Sequence, residues 1–371
     1  MNCFDRDEDA ERLWRHFELG RNVLMLAPRR IGKTVLLNRL KAESEAKGYR
    51  AIVLNVEGFR EEKAFFQQIC SVVQEELGTG ASVLAALTQR LRRVKDGSDT
   101  TGGDWRQLLL QTDWSQFATH LLSQLNEDKD GKPWLILVDE LPVFAMALFT
   151  SHGRERLHDF LRSLRNMRQT YRNVRWLYAG SIGLDTVARR HGVEGALNDL
   201  EVYGLQPFAE PVARAFVNDL AQRFNRTFVA GAIDVILKQV EWLSPYYLEK
   251  VAEDACFRVP RDSSVDTIHA QAAIESMLAL DKRSYWSTWR EHIDLNFPQA
   301  EQNQLYAILN AVAKSPDGSG SIDTLRMEVS KLGEVSEREL RACLDTLEAD
   351  GYLAPRESAT TSCRFRMSLL R

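Results

Sequence analysis

The chain reads as an α/β protein: a mostly parallel sheet covered by helices on both faces, followed by an all-helical region and a small terminal module of three helices and a hairpin. Two observations predict this. Short continuous apolar runs alternate with amphipathic stretches as far as about residue 208, and unbroken rather than alternating runs mark strands buried on both sides. Beyond that point apolar residues recur at helical spacing instead. Boundaries are expected at 1–208, 209–298 and 299–371.

Size and composition agree. The 371 residues suffice for two or three domains, and 44% hydrophobic with 27% charged residues is the make-up of a packed globular chain. A net charge of −4 excludes a protein that coats nucleic acid through bulk positive charge. No run approaches the roughly 18 apolar residues of a membrane span, so no membrane partner is expected. The opening "MNCFDRDEDAERLW" is acidic and polar, unlike a secretion signal. Five scattered cysteines (Cys3, Cys70, Cys256, Cys343, Cys363) without a CxxC pair fit idle thiols in a reducing cytoplasm.

The first strand is "NVLMLA" (22–27). Directly after it comes A-P-R-R-I-G-K-T (27–34), and "TVLLNRLKAE" then opens a helix. This is the phosphate-binding pattern G-x-x-x-x-G-K-[ST] with Ala27 in place of its first glycine. Pro28, Arg29, Arg30, Ile31, Gly32, Lys33, Thr34 and Val35 make up the loop and first helical turn, whose amides can converge on phosphate. Gly32 allows close main-chain approach, Lys33 can reach the β- and γ-phosphates, and the Thr34 hydroxyl can bind Mg²⁺. A strand before the loop and a helix after it separate this reading from a plain turn. The cofactors it implies are ATP and Mg²⁺.

The second strand is "AIVLNV" (51–56), with Glu57 at its tip. "AFFQQICSVVQEELG" and "WSQFATHLLSQLNED" read as crossover helices; between them lie an inserted helix, "ASVLAALTQRLRRVK", and a polar loop, "DGSDTTGGD". The third strand, "WLILVD" (134–139), carries Asp139 and Glu140 at its tip. Carboxylates at the end of a buried strand are costly unless a metal, water or lysine meets them. Asp139 suits an outer-shell Mg²⁺ ligand and Glu140 the base that orients an attacking water.

"VRWLYAGS" (174–181) is the fourth strand and "EVYGLQPF" (201–208) a weaker fifth. Just before the fourth strand, "FLRSLRNMRQTYRN" holds Arg162, Arg165, Arg168 and Arg172, and Arg189 and Arg190 follow that strand. These suit a solvated, salt-bridged face, contacts to a phosphodiester backbone, or an arginine finger toward a neighbouring subunit. The helical region comprises "EPVARAFVNDLAQRF", "AIDVILKQVEWL", "PYYLEKVAEDACF" and "TIHAQAAIESMLALD", and "NFPQ" (296–299) marks its end. The last residues read helix, turn ("PDGSGS"), helix, helix and a hairpin from "LAPRES" to "CRFRMS", the order of a winged-helix domain.

With these motifs in hand, the chain resembles the archaeal-type P-loop ATPases of the STAND and AAA-related superfamily, cousins of origin-recognition initiators. "FDRDEDAERLW" looks like their lead-in, "APRRIGKT" like their loop, and "LNVEG", "LVDE" and "YAGSIGL" match in order. "SPYYLEKVAEDA" is similar to their GxPxxL helix and "CRFRMSLLR" to their close. The resemblance implies an ASCE/AAA-like parallel-sheet core, a helical lid bundle and a C-terminal winged helix. It implies Ser181 as the residue sensing the γ-phosphate, Pro245 against adenine, Arg6 near base or ribose, and Glu57 beside the Mg²⁺ water shell. With Lys33, Asp139 and Glu140, Ser181 completes the expected catalytic set. Two departures stand out: Ala27, which needs a negative φ, and Ser244 before Pro245, where relatives carry glycine.

The expected activity is slow, partner-stimulated ATP hydrolysis that works as a molecular switch, engaging a partner protein, a second copy or duplex DNA. The alternative is an initiator or loader ATPase that binds DNA through the winged helix and basic faces, "RLRRVK" (90–95) among them. Arg338 and Arg341 on the expected recognition helix are outweighed by Glu337, Glu339, Asp345, Glu348 and Asp350, a poor balance for a phosphate-lined groove. A small-molecule kinase lacks support in a post-sheet region of this kind.

Overall fold

A computed structural model describes residues 4, 6–77, 113–127, 131–181, 183–356 and 362–371. The expected inserted helix, its polar loop and the basic run 90–95 lie outside these residues. The chain divides into two compact units: Met1–Ala27 with Lys33–Leu205, and Pro28–Gly32 with Gln206–Arg371.

The first unit is built on five strands: β1 (Asn22–Leu26), β2 (Arg50–Asn55), β3 (Trp134–Asp139), β4 (Val174–Gly180) and β5 (Leu200–Gly204). They pair in the order β2-β3-β4-β1-β5, and every pairing is parallel. β3 is buried along its whole length while the outer strands β2 and β5 are only partly so, which is why the fifth strand shows the weakest apolar run. It ends at Gly204, four residues short of the expected 208.

Side chains alternate between two cores. Leu24, Ile52, Leu54, Ile136, Val138, Trp176 and Tyr178 share one face with Phe65, Phe117, Phe144 and Phe160 from α3 (Glu62–Leu77), α4 (Trp114–Asn126) and α5 (Leu141–Thr170). Helices α1 (Asp7–Glu18) and α2 (Lys33–Glu43) pack against β1 and β2. Phe65 stacks on Phe144 at 5.9 Å, and Phe160 meets both edge-on at 5.7 and 5.2 Å. Removing such a buried ring costs about 3–5 kcal/mol. Gly153, at φ 83°, interrupts α5 with a conformation that non-glycine residues rarely adopt.

In the parallel order, the chain leaves β1, β3 and β4 at the same carboxyl edge, with β1 and β3 on either side of β4. That edge is where open α/β sheets bind ligands.

The second unit contains α6 (Glu210–Arg223), α7 (Ala230–Val240), α8 (Pro245–Phe257) and α9 (Thr267–Met277), the four helices expected from spacing. Between them a two-residue strand at Thr227–Phe228 pairs in parallel with Ser264–Val265, too short to read from sequence. A further helix, α10 (Ser284–Asn296), lies in a stretch without clean apolar periodicity; Trp289, His292, Ile293 and Asn296 are its buried residues. Phe297 and Pro298 break the chain before α11 (Gln299–Lys314).

Helices α12 (Ile322–Ser330) and α13 (Glu337–Ala349) follow, the latter opened by a Ser336–Glu339 capping box. The terminal pairing differs from a simple hairpin. Ser362–Arg364 runs antiparallel to Ser319–Ser321, inside the segment read as a turn, and a single bridge joins Leu353 to Phe365. Asp317 makes the difference: its carboxylate accepts from Ser315, Ser319 and the Ser319 amide, closing a tight turn that frees the next three residues to pair.

Candidate functional site

At the carboxyl edge of the first unit's sheet, five side chains from three loops meet. Lys33 and Thr34 start α2 directly after β1, Asp139 ends β3 with Glu140 next, and Ser181 follows β4. Thr34 donates its hydroxyl to Asp139 Oδ2 at 2.7 Å. Lys33 Nζ lies 3.9 Å from Glu140 Oε1 and donates to the Ala27 carbonyl at 3.3 Å. Glu140 Oε2 accepts from both the amide and the hydroxyl of Ser181, at 2.9 and 2.8 Å.

Local backbone geometry aims these groups. Glu140 takes a left-handed conformation, φ 61°, which swings the chain from strand into the Pro142-containing start of α5. Non-glycine residues rarely adopt it, and such strain concentrates at working sites. Its amide donates to Asp139 Oδ1 at 3.1 Å, so both oxygens of Asp139 are engaged. Burial, then the adjacent Glu140 charge, push the Asp139 carboxyl above its usual range, against the Thr34 hydroxyl and the Lys33 ammonium.

The residues fit a hard cation. A buried acid bonded to a hydroxyl, both hard oxygen donors, is a pair that would hold a divalent ion. Among the described residues no three His, Cys, Asp or Glu side chains cluster as a metal cage. One carboxylate plus a hydroxyl is what Mg²⁺ uses when phosphate oxygens and water complete its shell.

Pro28–Gly32 carry the rest of the loop. Its positive-φ residues are Arg30 (66°) and Gly32 (96°), so Ala27 keeps an ordinary backbone and the missing glycine costs nothing there. Alternating φ sign at Arg30, Ile31 and Gly32 turns successive amides into a concavity suited to an anion. Ile31 is fully buried; Pro28, Arg29, Arg30 and Val35 are half-buried.

The remaining expected residues sit as follows. Arg6 is 6% exposed and pairs with Asp9 at 2.9 Å, and Asp9 also accepts from the Tyr203 hydroxyl. Glu57 is exposed, its amide bonded to Asn55 Oδ1 at 3.0 Å. Pro245 occupies the first turn of α8, where its missing N–H costs nothing.

Of the arginines, Arg168 is buried with both guanidinium arms on Asp199, at 2.7 and 2.8 Å, and a further bond to the Ala196 carbonyl. Arg165 reaches the Gly195 carbonyl. Arg168 is an internal strut and Arg165 a half-exposed one, which leaves Arg162, Arg172 and Arg189 at the surface. Sequence reasoning noted Ser244 only as a departure from the relatives' glycine and passed over Tyr246 and Thr288; all three contact Arg30 within the second unit. The sign was present in "SPYY": a serine one residue before a first-turn proline, beside paired rings.

No family model and no curated protein matches the chain. Solved structures do. A Walker-type ATPase of Pyrococcus abyssi superposes with a TM-score of 0.64 at 14% identity, covering 99% of this chain and 95% of its own. The Orc2 protein of Aeropyrum pernix, in ADPNP and ADP complexes, superposes at 0.59 and 15% identity, covering 98% and 91%. The fold is therefore that of the P-loop nucleoside triphosphatases.

Proposed function

We propose that this chain, with the fold of archaeal P-loop ATPases, binds ATP with Mg²⁺ and hydrolyses it slowly, as a switch whose nucleotide state governs engagement of a partner. One observation carries the reading: Thr34 and Asp139 are bonded at 2.7 Å, beside a lysine 3.9 Å from Glu140, at the edge where three sheet loops converge.

Each residue then has a task. The amides around Gly32 and the Lys33 ammonium bind the β- and γ-phosphates. Thr34 and Asp139 hold Mg²⁺, which when bound neutralises phosphate charge. Glu140 accepts a proton from the attacking water, and Ser181, now bonded to Glu140, is placed to exchange that bond for one to a phosphate oxygen. Within the first unit Arg6 remains a candidate for the nucleoside end, and it must leave Asp9 to serve there.

The C-terminal residues, read as a winged helix, suit a protein partner better than duplex DNA. α13 presents Glu337, Glu339 and Asp345, and Arg341 is already paired with Glu337 at 2.5 Å.

In purified protein, Lys33→Ala should lose ATP binding by at least ~100-fold. Glu140→Gln should bind ATP yet turn over about 10²–10⁴-fold more slowly, the usual contribution of a general base. Turnover unchanged in both variants refutes the reading. Retention on duplex DNA that falls steeply with salt, and only with ATP present, would move the output from protein to DNA.

A further inference from the structure

We infer that Ser244, Tyr246 and Thr288 form a clamp on Arg30 that shapes the phosphate loop, and are positioning residues for nucleotide binding. The inference rests on the ATP-binding reading above. Arg30 holds φ 66°, a conformation arginine adopts rarely and only where its surroundings enforce it. Three separate groups enforce it. Ser244 donates its hydroxyl to the Arg30 carbonyl at 2.5 Å. The Arg30 guanidinium lies 3.8 Å from the centre of the Tyr246 ring, in cation–π range. Its Nη2 donates to Thr288 Oγ1 at 2.9 Å.

The clamp is itself braced. Tyr246 meets Tyr247 edge-on at 5.2 Å, Tyr247 stacks on Trp286 at 5.0 Å, and its hydroxyl accepts from Trp289 Nε1 at 2.5 Å. Gly351 backs the loop from another side: a Cβ there would lie 2.9 Å from the Pro28 ring. Ser244 occupies the N-cap position of α8 but makes no capping bond, so its hydroxyl serves the loop instead of the helix. Its removal therefore leaves the helix's own hydrogen bonds intact.

A strained residue held from three sides gives an amide concavity formed before the ligand arrives. Release of the clamp lets Arg30 relax to negative φ and flattens the concavity. Glycine at the same position would hold the shape unaided.

The test uses the full chain, with hydrogen exchange of the peptide spanning Arg30–Lys33 and titration of a fluorescent ADP. Tyr246→Ala and Ser244→Ala should each speed exchange and weaken ADP about tenfold, whereas Tyr246→Phe, which keeps the ring face, should do neither. In an Arg30→Gly background, Tyr246→Ala should cost little. Unchanged loop exchange in Tyr246→Ala overturns the clamp whether or not ADP binds. Faster exchange with unchanged ADP affinity, or an equal loss in the Arg30→Gly background, overturns its role in binding. ADP binding as tight in Lys33→Ala as in the wild type would instead refute the ATP-binding reading.

Discussion

Asp139 and Glu140 show how much local energy the site stores. Asp139 is 2% exposed with a carboxyl whose pKa is raised by burial and by Glu140. A carboxylate with a raised folded pKa favours the fold when protonated and opposes it when ionised, so at neutral pH its charge is a net cost. Asp139→Asn should therefore raise the melting temperature of nucleotide-free protein at pH 7 while weakening Mg²⁺-dependent ATP binding. Thermal melts at pH 7 beside nucleotide titration check both halves, and a lower melting temperature would contradict the electrostatic half. Lys33, Thr34, Asp139 and Glu140 were legible because their chemistry requires those types at those spacings. The Arg30 contacts were not, since Ser244 and Thr288 lie 214 and 258 residues away and no local pattern encodes such a pairing.

At the scale of elements, the second half of α5 shows the limit of reading charge from spacing. Arg162, Arg165 and Arg168 near the end of α5, with Arg172 just beyond it, suggest a solvated face, yet Arg168 turns inward onto Asp199; burial pushes the Tyr178 hydroxyl up to about 12 against the pull of the Arg168 charge. Lysine cannot reproduce the two-armed pairing. Arg168→Lys should cost about 3 kcal/mol of stability, read by urea unfolding, with nucleotide affinity kept.

A second element supplies a pH response. His191, the last residue of the helix Leu184–His191, packs tilted against Phe149 with ring centres 3.9 Å apart. Burial first, then Arg190 and Arg154, lower its pKa to about 4. The unfolded chain binds that proton near pH 6.5, so stability from this group is complete above that value and is lost as pH falls toward 4. His191→Phe should flatten the pH dependence of the melting temperature between about 4 and 6.5; an unchanged slope would contradict the assignment.

Across the whole molecule, the sheet was legible because buried parallel strands are unbroken apolar runs, and "WLILVD" and "VRWLYAGS" are found as β3 and β4 almost residue for residue. The helices of the second unit were legible through the same burial, seen at a different period. What stayed hidden depended on partners distant in sequence. Ser319–Ser321 becomes a strand only because Ser362–Arg364 lies beside it, and α10 is held by Trp289 and Ile293 against packing that no local window contains. The terminal residues fold as three helices, with Ser362–Arg364 paired to Ser319–Ser321 instead of closing a simple hairpin.

The most direct measurement is equilibrium binding of a fluorescent ATP analogue to wild type and Asp139→Asn, each with Mg²⁺ and with EDTA. A site in which Thr34 and Asp139 would hold Mg²⁺ predicts that the ion tightens binding by about tenfold or more in the wild type, and that most of this gain disappears in Asp139→Asn. Equal affinity with and without Mg²⁺ in the wild type, or an undiminished Mg²⁺ effect in Asp139→Asn, would contradict it.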